Sequence, residues 1–518
     1  MKAALHAALQ TARCSALLLL GLCLPLAAAH ARDDVPSFRE RLGPLFNPQG
    51  STSASILRFH QRHRLSDHGA IKRWNEIAVD TSGIDHTPVA AGETRVFGEQ
   101  LGPGRSARAM AIVHIAMFEA ANAVAGGYDS YLDLPRARQA SMEAAVAQAA
   151  HDTLVALFPS QSDALDELLA DEAARLRHVD PRARASGIEL GRKAAAAILA
   201  RRADDGSQHA EPRMDIDYVA SNQPGHWRQD PVSLIPIAMG AYWGSVKPFV
   251  LRTGQQFRLP PPPALGSPAY TAAFNEVRRL GGDGVTTPTT RTEEQTAIGT
   301  FWAYDGTPSL CAPPRLYNQI TMQIAGQRRT RDIELARLLA LVNVAMADAA
   351  VAAWDSKYQH KLWRPVTAVR EADPGTGPSG LGDGNPDTIG DAAFMPLGAP
   401  ASNLSGPNFT PPFPAYPSGH ATFGGALFQT LRNFYGTDRI AFTFVSDEFN
   451  GVTRDNQGNV RLLTPRRFAS LSAAEFENGY SRVLLGIHWI FDSTQGIAQG
   501  RQVADYVYGN LFAPAPGR

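Results

Sequence analysis

The chain has 518 residues, of which 44% are hydrophobic and 19% are charged, a composition typical of a globular protein with a sizeable core. This length exceeds that of most single compact domains, so two packed units are expected. The 49 basic and 49 acidic side chains give a formal net charge of zero. This balance argues against a nucleic-acid-binding protein, because such proteins usually carry a basic excess.

The N-terminus carries the features of a targeting segment. Lys2 and Arg13 supply positive charge before a short apolar run over residues 15–28, and Ala29-His30-Ala31 resembles a cleavage site. The apolar run is too short to span a bilayer comfortably, which favours export with cleavage over a membrane anchor. We therefore predict a signal peptide over residues 1–31, a periplasmic or secreted protein, and no membrane span later in the chain.

Cysteine usage is consistent with this interpretation. Two of the three cysteines, Cys14 and Cys23, fall in the predicted signal peptide. Only Cys311 would remain after cleavage, so no intrachain disulfide is expected and the fold must be stabilised by packing.

Helical spacing dominates the N-terminal half after an arm over residues 32–104, which we expect to be irregular with short helical pieces. From Ser106 onward, apolar residues recur at helical spacing and predict a helix over 106–124. A loop-rich stretch over 204–268 contains the helix-breaking run Pro260–Pro263. An N-terminal helical bundle is thus predicted for residues 105–290, with further helices over about 139–158, 161–177 and 184–203.

The C-terminal part, residues 291–518, is predicted to form a second helical domain that contains the active site. A long loop rich in glycine and proline, residues 373–417, interrupts it. Alternating strand patterns are scarce, so we predict an all-α fold of two helical bundles. After the loop-rich stretch over residues 204–268, helices are predicted over about 268–280, 291–304, 314–326, 331–358, 419–435, 473–489 and 492–512.

Two clusters of chemically active residues flank the long loop. Lys357 and Arg364 are seven residues apart, which would place both on one face of a helix that ends at Pro365. Pro417-Ser418-Gly419-His420 stands at a predicted helix N-terminus, where free N–H groups, the Ser418 hydroxyl and the absent side chain of Gly419 favour oxyanion binding. Taken alone, the first pattern is more often a solvated charged face of a helix than a binding site. The second is more often a serine helix cap beside an incidental histidine.

The third cluster lies near the C-terminus and contains Ser481-Arg482, Gly486, His488 and Asp492. Asp492 follows His488 by four residues, a spacing that lets a carboxylate orient an imidazole. A buried histidine with a satisfied partner would give the same pattern. Together, however, the three clusters supply three cations, hydroxyl and N–H donors, and two histidines. Three converging cations would repel one another unless they held an anion, so the set predicts a site for a phosphate-like oxyanion.

The order and spacing of the clusters resemble the signature of the vanadium haloperoxidase and type 2 phosphatidic acid phosphatase superfamily: Lys-x6-Arg-Pro, Pro-Ser-Gly-His, and Ser-Arg-x3-Gly-x-His-x3-Asp. Further segments resemble vanadium-dependent haloperoxidases of the chloroperoxidase type, namely Tyr304-Asp305-Gly306, residues 313–320 and residues 411–425. This closer similarity covers roughly residues 291–500. It implies an enzyme that oxidises chloride and bromide with hydrogen peroxide to hypohalous acid, using one vanadate per subunit; it names no organic halogen acceptor.

The resemblance also implies a role for each matching residue. His488 would be the covalent ligand of vanadium, and His420 the acid–base group. Trp354 and Phe413 would line the approach of the halide, and Asp305 would pair with Arg482. The groups implied to hydrogen-bond the vanadate oxygens are Lys357, Arg364, Ser418, Gly419 and Arg482, with Lys357 also polarising the bound peroxide.

Two other functions fit the three clusters. An exported acid phosphatase on the same scaffold would use His488 as its nucleophile on phosphate monoesters, with Asp492 orienting it and His420 protonating the leaving group. An oxyanion-binding protein without catalysis would need the cations but not two histidines at the anion. Trp354, Phe413 and Asp305 resemble the chloroperoxidases and favour the haloperoxidase. The apolar Phe413 beside the cations further predicts chlorination as well as bromination.

Overall fold

A computed structural model describes residues 37–50, 59, 61–64 and 68–515. The predicted signal peptide therefore lies outside the described residues. The described part of the chain belongs to one unit, Ser37–Arg518, within which no division was found. The predicted boundaries at residues 104 and 290 stay predictions.

The N-terminal half is helical, with helices that mostly begin at a serine, an aspartate or a proline. Ser37, Ser141 and Asp180 cap three of them through their side chains. Proline at the first turn begins two, since its missing N–H costs nothing there. In chain order the helices whose bounds are described are α1 (Phe38–Leu42), α2 (Ala70–Asp85), α3 (Pro103–Ala125), α4 (Met142–Leu157), α5 (Ser162–Arg175) and α6 (Pro181–Arg201).

An irregular stretch follows α6 and contains only short 3-10 turns at Trp243–Ser245 and Gly254–Phe257, as the sequence predicted. The C-terminal half is again helical and keeps its long loop between residues 372 and 418. Its helices are α7 (Pro268–Leu280), α8 (Glu293–Phe301), α9 (Pro313–Arg328), α10 (Asp332–His360), α11 (Pro365–Glu371), α12 (Gly419–Tyr435), α13 (Leu471–Leu484) and α14 (Ile490–Asn510).

Strands are short in the described residues. β1 (Asn47–Pro48) pairs with β2 (Leu404–Ser405), and β3 (Phe442–Val445) pairs with β4 (Pro465–Phe468), both antiparallel. Neither pair grows into a larger sheet. The predicted all-α fold is confirmed.

Helix α10 is the central element of the core. It packs against α3 from the N-terminal half and against α12 and α14 from the C-terminal half. One continuous apolar cluster therefore runs through both halves of the chain, so the two predicted bundles share their core. The C-terminal end of α10 carries Trp354 and Lys357 into the region where the predicted site residues meet.

The prediction that no later stretch is apolar enough to span a membrane is wrong for two helices. By length and composition alone, α3 and α10 are apolar enough to cross a bilayer, contrary to the expectation that no later stretch would be. In the structure, 94% and 100% of their most apolar windows are buried. Both have the surroundings of core helices in a globular protein.

The predicted irregular arm also needs correction. Residues 70–85 form the regular 16-residue helix α2, whose residues are almost all buried. Ile71, Trp74 and Ile77 follow helical spacing, but polar residues such as Arg73 and Asp80 are buried with them. These buried ion-paired side chains obscure the amphipathic pattern from which helices are predicted.

Candidate active site

The three clusters converge at the C-terminal end of α10, the N-terminus of α12 and the loop between α13 and α14. The local route of the chain differs from the prediction at one point. Helix α10 ends at His360, and Lys361 adopts a left-handed conformation with φ of 50°. Arg364 caps the next helix, where Pro365 occupies the first turn. Lys357 and Arg364 therefore do not share a helical face; a turn of the chain brings them together.

Lys357 is fully buried and is held by main-chain carbonyls of the loop before α12. Its ammonium group donates to the oxygens of Pro414 at 2.8 Å, of Ala415 at 3.1 Å and of Pro417. Three carbonyls match the three N–H groups of a lysine. Lys357 thus contributes its positive charge to the site without an unpaired N–H group.

Arg364 joins the first cluster to the third. Its Nε donates to the Phe413 carbonyl at 2.9 Å, and its Nη1 donates to the Ile487 carbonyl at 2.8 Å. The same Nη1 lies 2.9 Å from Nε2 of His488. Because a guanidinium only donates, His488 must accept with an Nε2 lone pair.

His488 is oriented on its other side by Asp492. The Nδ1–H group of the imidazole donates to Asp492 Oδ2 over 2.8 Å, and the Trp489 N–H donates to the same oxygen over 3.1 Å. These contacts fix the tautomer, with the proton on Nδ1 and the lone pair on Nε2. The predicted orientation of His488 by Asp492 is present in the structure.

Arg482 is paired on one side only. Its Nη2 donates to both carboxylate oxygens of Asp305, at 2.6 and 2.9 Å. Its Nε and Nη1 are buried without a hydrogen-bond partner among the described residues. Buried polar groups are nearly always paired, so two unpaired donors on one guanidinium indicate a missing acceptor.

The second cluster begins helix α12. Ser418 is its N-cap, accepting from the Ala421 N–H at 3.4 Å, and its own N–H donates to the Asp492 carbonyl at 3.0 Å. Gly419 packs beneath Trp354: a β-carbon there would lie 3.2 Å from the indole ring. His420 hydrogen-bonds the Ala303 carbonyl through Nε2. A neutral His420 therefore has its lone pair on Nδ1.

Trp354 and Phe413 form an apolar wall beside the cations. Their ring centroids are 5.0 Å apart, and Trp354 Nε1 donates to the Met239 carbonyl at 3.2 Å. The Phe413 ring lies 5.0 Å from both the Lys357 ammonium and the Arg364 guanidinium. Such contacts are favourable because the ring face is electron-rich.

These side chains surround a cavity of about 50 Å³. Its lining contains seven of the residues singled out in the sequence, namely Asp305, Trp354, Phe413, Gly419, His420, Arg482 and His488. Lys357, Arg364, Ser418 and Asp492 are not part of the lining and lie in the layer behind it, in contact with lining residues or with the loops that carry them.

Sequence reasoning missed the part of the lining that comes from the N-terminal half. His86, Gly102 and Met239 face the same cavity. They lie outside the segments in which the chain resembles a known family, and none stands in a motif. The only local signal among them is the Gly102-Pro103 pair, which marks the start of α3.

The electrostatics of the site are those of crowded cations. Burial, and then the other cations, lower the pKa of Lys357 well below its ordinary value, and burial lowers the pKa of Arg364 to about 9. Burial and the same cations hold the pKa values of His420 and His488 well below the usual range, so both rings are neutral. Burial raises the pKa of Asp492 to about 7. An anion in the cavity would relieve the repulsion among the charged groups.

The residues present fit a tetrahedral oxyanion. The two unpaired donors of Arg482 need an acceptor. The Nε2 lone pair of His488 accepts from Arg364 in this structure and can bond an electrophilic centre in exchange for that hydrogen bond. Within the described residues, no group of three or more His, Cys, Asp or Glu side chains could hold a bare metal cation. The donor set therefore suits vanadate or phosphate, in which the metal or phosphorus arrives with its own oxygens.

Comparison with known proteins identifies the relatives of this chain. Residues 337–514 match the family model described as the VCPO second helical-bundle domain. The vanadium chloroperoxidase of Curvularia inaequalis is 32% identical over 497 residues, which cover 81% of this chain and 78% of that protein. The chain belongs to the vanadium chloroperoxidase family. The matched domain contains every predicted site residue except Asp305.

Solved structures agree with this membership at the level of the fold. The first bacterial vanadium-dependent iodoperoxidase superposes with a TM-score of 0.66 at 22% identity, over 85% of this chain and 97% of that one. The holo form of a bacterial vanadium-dependent chloroperoxidase gives 0.59 at 17% identity, over 81% and 94%. This chloroperoxidase-family chain thus shares its helical architecture with enzymes named for different halides.

Proposed function

We propose that the protein is a vanadium-dependent haloperoxidase that oxidises chloride and bromide with hydrogen peroxide to hypohalous acid. The observation that carries the proposal is a cluster of three buried cations with unpaired guanidinium donors, placed beside an imidazole whose Nε2 lone pair is free of a proton. Membership of the vanadium chloroperoxidase family supports the same chemistry.

The residues that would hold vanadate are those that present donors or charge to the cavity. His488 would bind the metal through Nε2, because Asp492 keeps the proton on Nδ1. Arg482 would donate from the two groups that lack a partner. The N–H of Gly419, which lines the cavity, lies at the N-terminus of α12, where the helix dipole favours an anion, and the Ser418 hydroxyl would donate from just behind that lining.

Bound vanadate supplies a Lewis acid that activates hydrogen peroxide for attack by a halide. Lys357 and Arg364 add two positive charges from just behind the cavity wall. In an enclosed site these charges would withdraw electron density from the oxygens of a bound oxyanion far more strongly than in water.

His420 is the group that would move a proton. Its Nε2 is tied to the Ala303 carbonyl, which leaves the Nδ1 lone pair to accept a proton from hydrogen peroxide. The pKa of His420, held low by burial and by the cations, keeps the ring neutral and able to act as a base. The proton is returned when the oxidised halide leaves as hypohalous acid.

Trp354 and Phe413 would keep water away from the path of the halide. Both are buried, at 2% and 8% exposed, and both still line the cavity. An apolar wall beside the cations strengthens their field and desolvates the incoming halide. This arrangement supports the proposal that chloride, the harder halide to oxidise, is a substrate.

The test compares two reactions of one purified protein, incubated with and without vanadate. We expect vanadate to give peroxide-dependent bromination and chlorination of a reporter phenol, and little hydrolysis of a phosphate monoester. Brisk ester hydrolysis without halogenation in either sample would instead assign the acid phosphatase activity. The single experiment therefore separates the two candidates that share His488.

We also propose that the protein is exported. The proposal rests on the N-terminal sequence, with its apolar run and the pattern Ala29-His30-Ala31. Expression of the full chain in a bacterium, followed by N-terminal sequencing of the extracytoplasmic fraction, tests it. A mature protein that begins near Arg32 is expected, whereas an uncleaved chain retained in the cytoplasm would contradict export.

A further inference from the structure

A methionine forms part of the wall of the active-site cavity. Met239 lies in the irregular stretch after α6 and shares the lining with His420 and His488. Among the described residues of that lining, it carries the only sulfur atom. Met239 is partly exposed, which distinguishes it from Met110, Met117 and Met346, all at most 1% exposed.

The backbone of Met239 is fixed to the site on both sides. Its N–H donates to the Pro412 carbonyl at 2.9 Å. Its carbonyl accepts from Trp354 Nε1 at 3.2 Å and from the Tyr358 hydroxyl at 2.9 Å. The side chain turns toward Gly102, where a β-carbon would lie 2.8 Å from the sulfur. Gly102 also lines the cavity, so the thioether is held beside the space in which the oxidant forms.

Thioethers are among the protein groups most readily oxidised, and the proposed product of this enzyme is an oxidant. We propose that Met239 is a modification site, oxidised to methionine sulfoxide by hypohalous acid before that acid leaves the cavity. This inference rests on the proposed function, because only halide oxidation supplies the oxidant.

The step balances without any further reagent. A sulfur lone pair attacks the halogen of hypohalous acid, so that a sulfur–halogen bond forms and hydroxide leaves. Water then attacks the sulfur, halide departs, and two protons are lost, one of which neutralises the hydroxide. The thioether is oxidised by two electrons to the sulfoxide, the halogen is reduced to halide, and one proton is released overall.

The other reactive sulfur near the site is placed differently. Cys311 is 1% exposed, is not part of the cavity lining, and lies with its Sγ 3.0 Å from the Ser82 hydroxyl. The thiol also hydrogen-bonds His86, and of these groups it is His86 rather than Cys311 that lines the cavity. The preference for Met239 is therefore a matter of position rather than of chemical reactivity, since thiols are also readily oxidised.

Oxidation would change the wall in which Met239 stands. The sulfoxide is polar and accepts hydrogen bonds, whereas the thioether is nearly apolar. A polar oxygen in the cavity wall that Met239 shares with Trp354 and Phe413 would draw water toward the path of the halide. The enzyme should therefore lose chlorination activity as Met239 becomes oxidised, and a Met239→Leu variant should lose a smaller share of its own initial rate over the same number of turnovers.

The experiment measures where oxygen is gained during turnover. The vanadate-loaded protein is supplied with peroxide and bromide, digested, and analysed by mass spectrometry for sulfoxide at each methionine. Met142 and Met322, which are partly exposed and do not line the cavity, serve as internal controls. We expect Met239 to be oxidised at least about tenfold faster than either control, because the oxidant is generated beside it.

A parallel sample receives the same amount of hypobromous acid from solution, without peroxide, and should lose most of this preference. Equal oxidation of Met239 and Met322 in a sample that does brominate the reporter would overturn the inference and leave the proposed function standing. Oxidation of Met239 at the same rate by peroxide without bromide would also overturn it. Absence of bromination would contradict the proposed function and this inference together.

Discussion

Arg364 Nη1 donates a hydrogen bond of 2.9 Å to Nε2 of His488, the nitrogen that faces the cation cluster. Asp492 accepts from the opposite nitrogen at 2.8 Å. The imidazole thus accepts a hydrogen bond from Arg364 on Nε2 and donates one to Asp492 from Nδ1. Its tautomer is set before any ligand binds, and Nε2 is the nitrogen that can bond a ligand in exchange for the Arg364 hydrogen bond.

Replacement of His488 by alanine should remove the covalent anchor for vanadate without unfolding the protein. The neighbouring cations and Ser418 would still attract an oxyanion, but only by charge and hydrogen bonds. We expect vanadate to bind at least about 100-fold more weakly, because a directly bonded ligand matters more than the outer partners whose loss costs up to about that factor. Equilibrium dialysis measures the affinity, and circular dichroism checks the fold.

His178→Ala is the matched control for this variant. His178 is exposed, and its ring hydrogen-bonds the nearby Arg175 carbonyl, away from the cavity. It should bind vanadate as the parent does. If His488→Ala matched the parent as well, His488 would not be the ligand.

Asp492→Asn tests the orientation of the ring separately from the bond itself. The amide can present an oxygen to Nδ1 but carries no charge, and its NH2 group can point at the ring instead. Vanadate affinity should fall by about 10- to 100-fold, the usual cost of losing a partner behind a metal-binding histidine. Asp217→Asn, at an exposed ion pair with Arg213, should leave the affinity unchanged. Equal affinities in the two variants would show that Asp492 does not orient His488.

His420→Ala should separate anion binding from catalysis. The His420 ring is neutral and is held by the Ala303 carbonyl rather than by one of the three cations, so its loss should leave vanadate in place. Loss of a positioned acid–base group typically costs about 100- to 10,000-fold in rate. Bromination measured at saturating vanadate tests this expectation. A rate within a few-fold of the parent would remove His420 from the mechanism.

Oxyanion binding should be coupled to proton uptake. In the anion-free protein, burial and the cations lower the pKa values of His420 and His488 well below 6.5, so both rings are neutral near pH 6. A bound anion that forms no bond to His488 offsets the repulsion from the cations and raises the pKa values of both rings and of Lys357, which burial and Arg364 also lower, so binding takes up protons and strengthens as the pH falls. Each proton taken up can raise the affinity by as much as about tenfold per pH unit.

Sulfate is the probe for this coupling, because it remains a dianion between about pH 5 and pH 8 and so contributes no protons of its own. Calorimetry in two buffers with different ionisation enthalpies counts the protons taken up. We expect a positive count in the parent and a smaller one in His420→Ala. An affinity for sulfate that is independent of pH, with no proton uptake, would contradict the prediction.

Phe413→His should shift the halide preference toward bromide. The Phe413 ring lies 5.0 Å from both Lys357 and Arg364, so an imidazole there would place a polar, hydrated group against the cations. Water screens their field and lowers the rate for chloride more than for bromide. We expect the ratio of chlorination to bromination to fall by about tenfold, the effect of about 1.4 kcal/mol on one barrier. Phe476→His, at an exposed position, should keep the parent ratio.

Much of the fold follows from local patterns in the sequence. The helix over Pro268–Leu280 was predicted with the same bounds, and Gly419–Tyr435 likewise, because a proline or a serine cap fixes each start. The predicted helix over 473–489 instead ends at Leu484. Gly486 has φ of 72° and packs against the backbone of Gly281. That close approach joins two distant segments, so the local sequence around Gly486 could not indicate it.

The site shows the same division between local and distant information. The pairing of Asp305 with Arg482 and that of His488 with Asp492 are both present in the structure. The left-handed turn at Lys361, by contrast, could not be predicted, because the residue that adopts it is not a glycine. Met239 reaches the cavity through tertiary packing alone, so no motif could have predicted it. The sequence could predict the chemistry of the site because that chemistry depends on residue type. It could not predict which residues enclose the cavity, because that depends on the whole fold.

The wide separation of the site residues along the chain has a consequence for folding. Asp305 and Arg482 are 177 residues apart, so the charge cluster is complete only when α13 has docked against the rest of the molecule. An oxyanion can therefore recognise only the finished fold. It should slow unfolding in proportion to its occupancy while leaving the refolding rate nearly unchanged. The cofactor would thus be a source of kinetic stability for this fold. The described residues contain one cysteine, which is unpaired, so no disulfide among them slows unfolding.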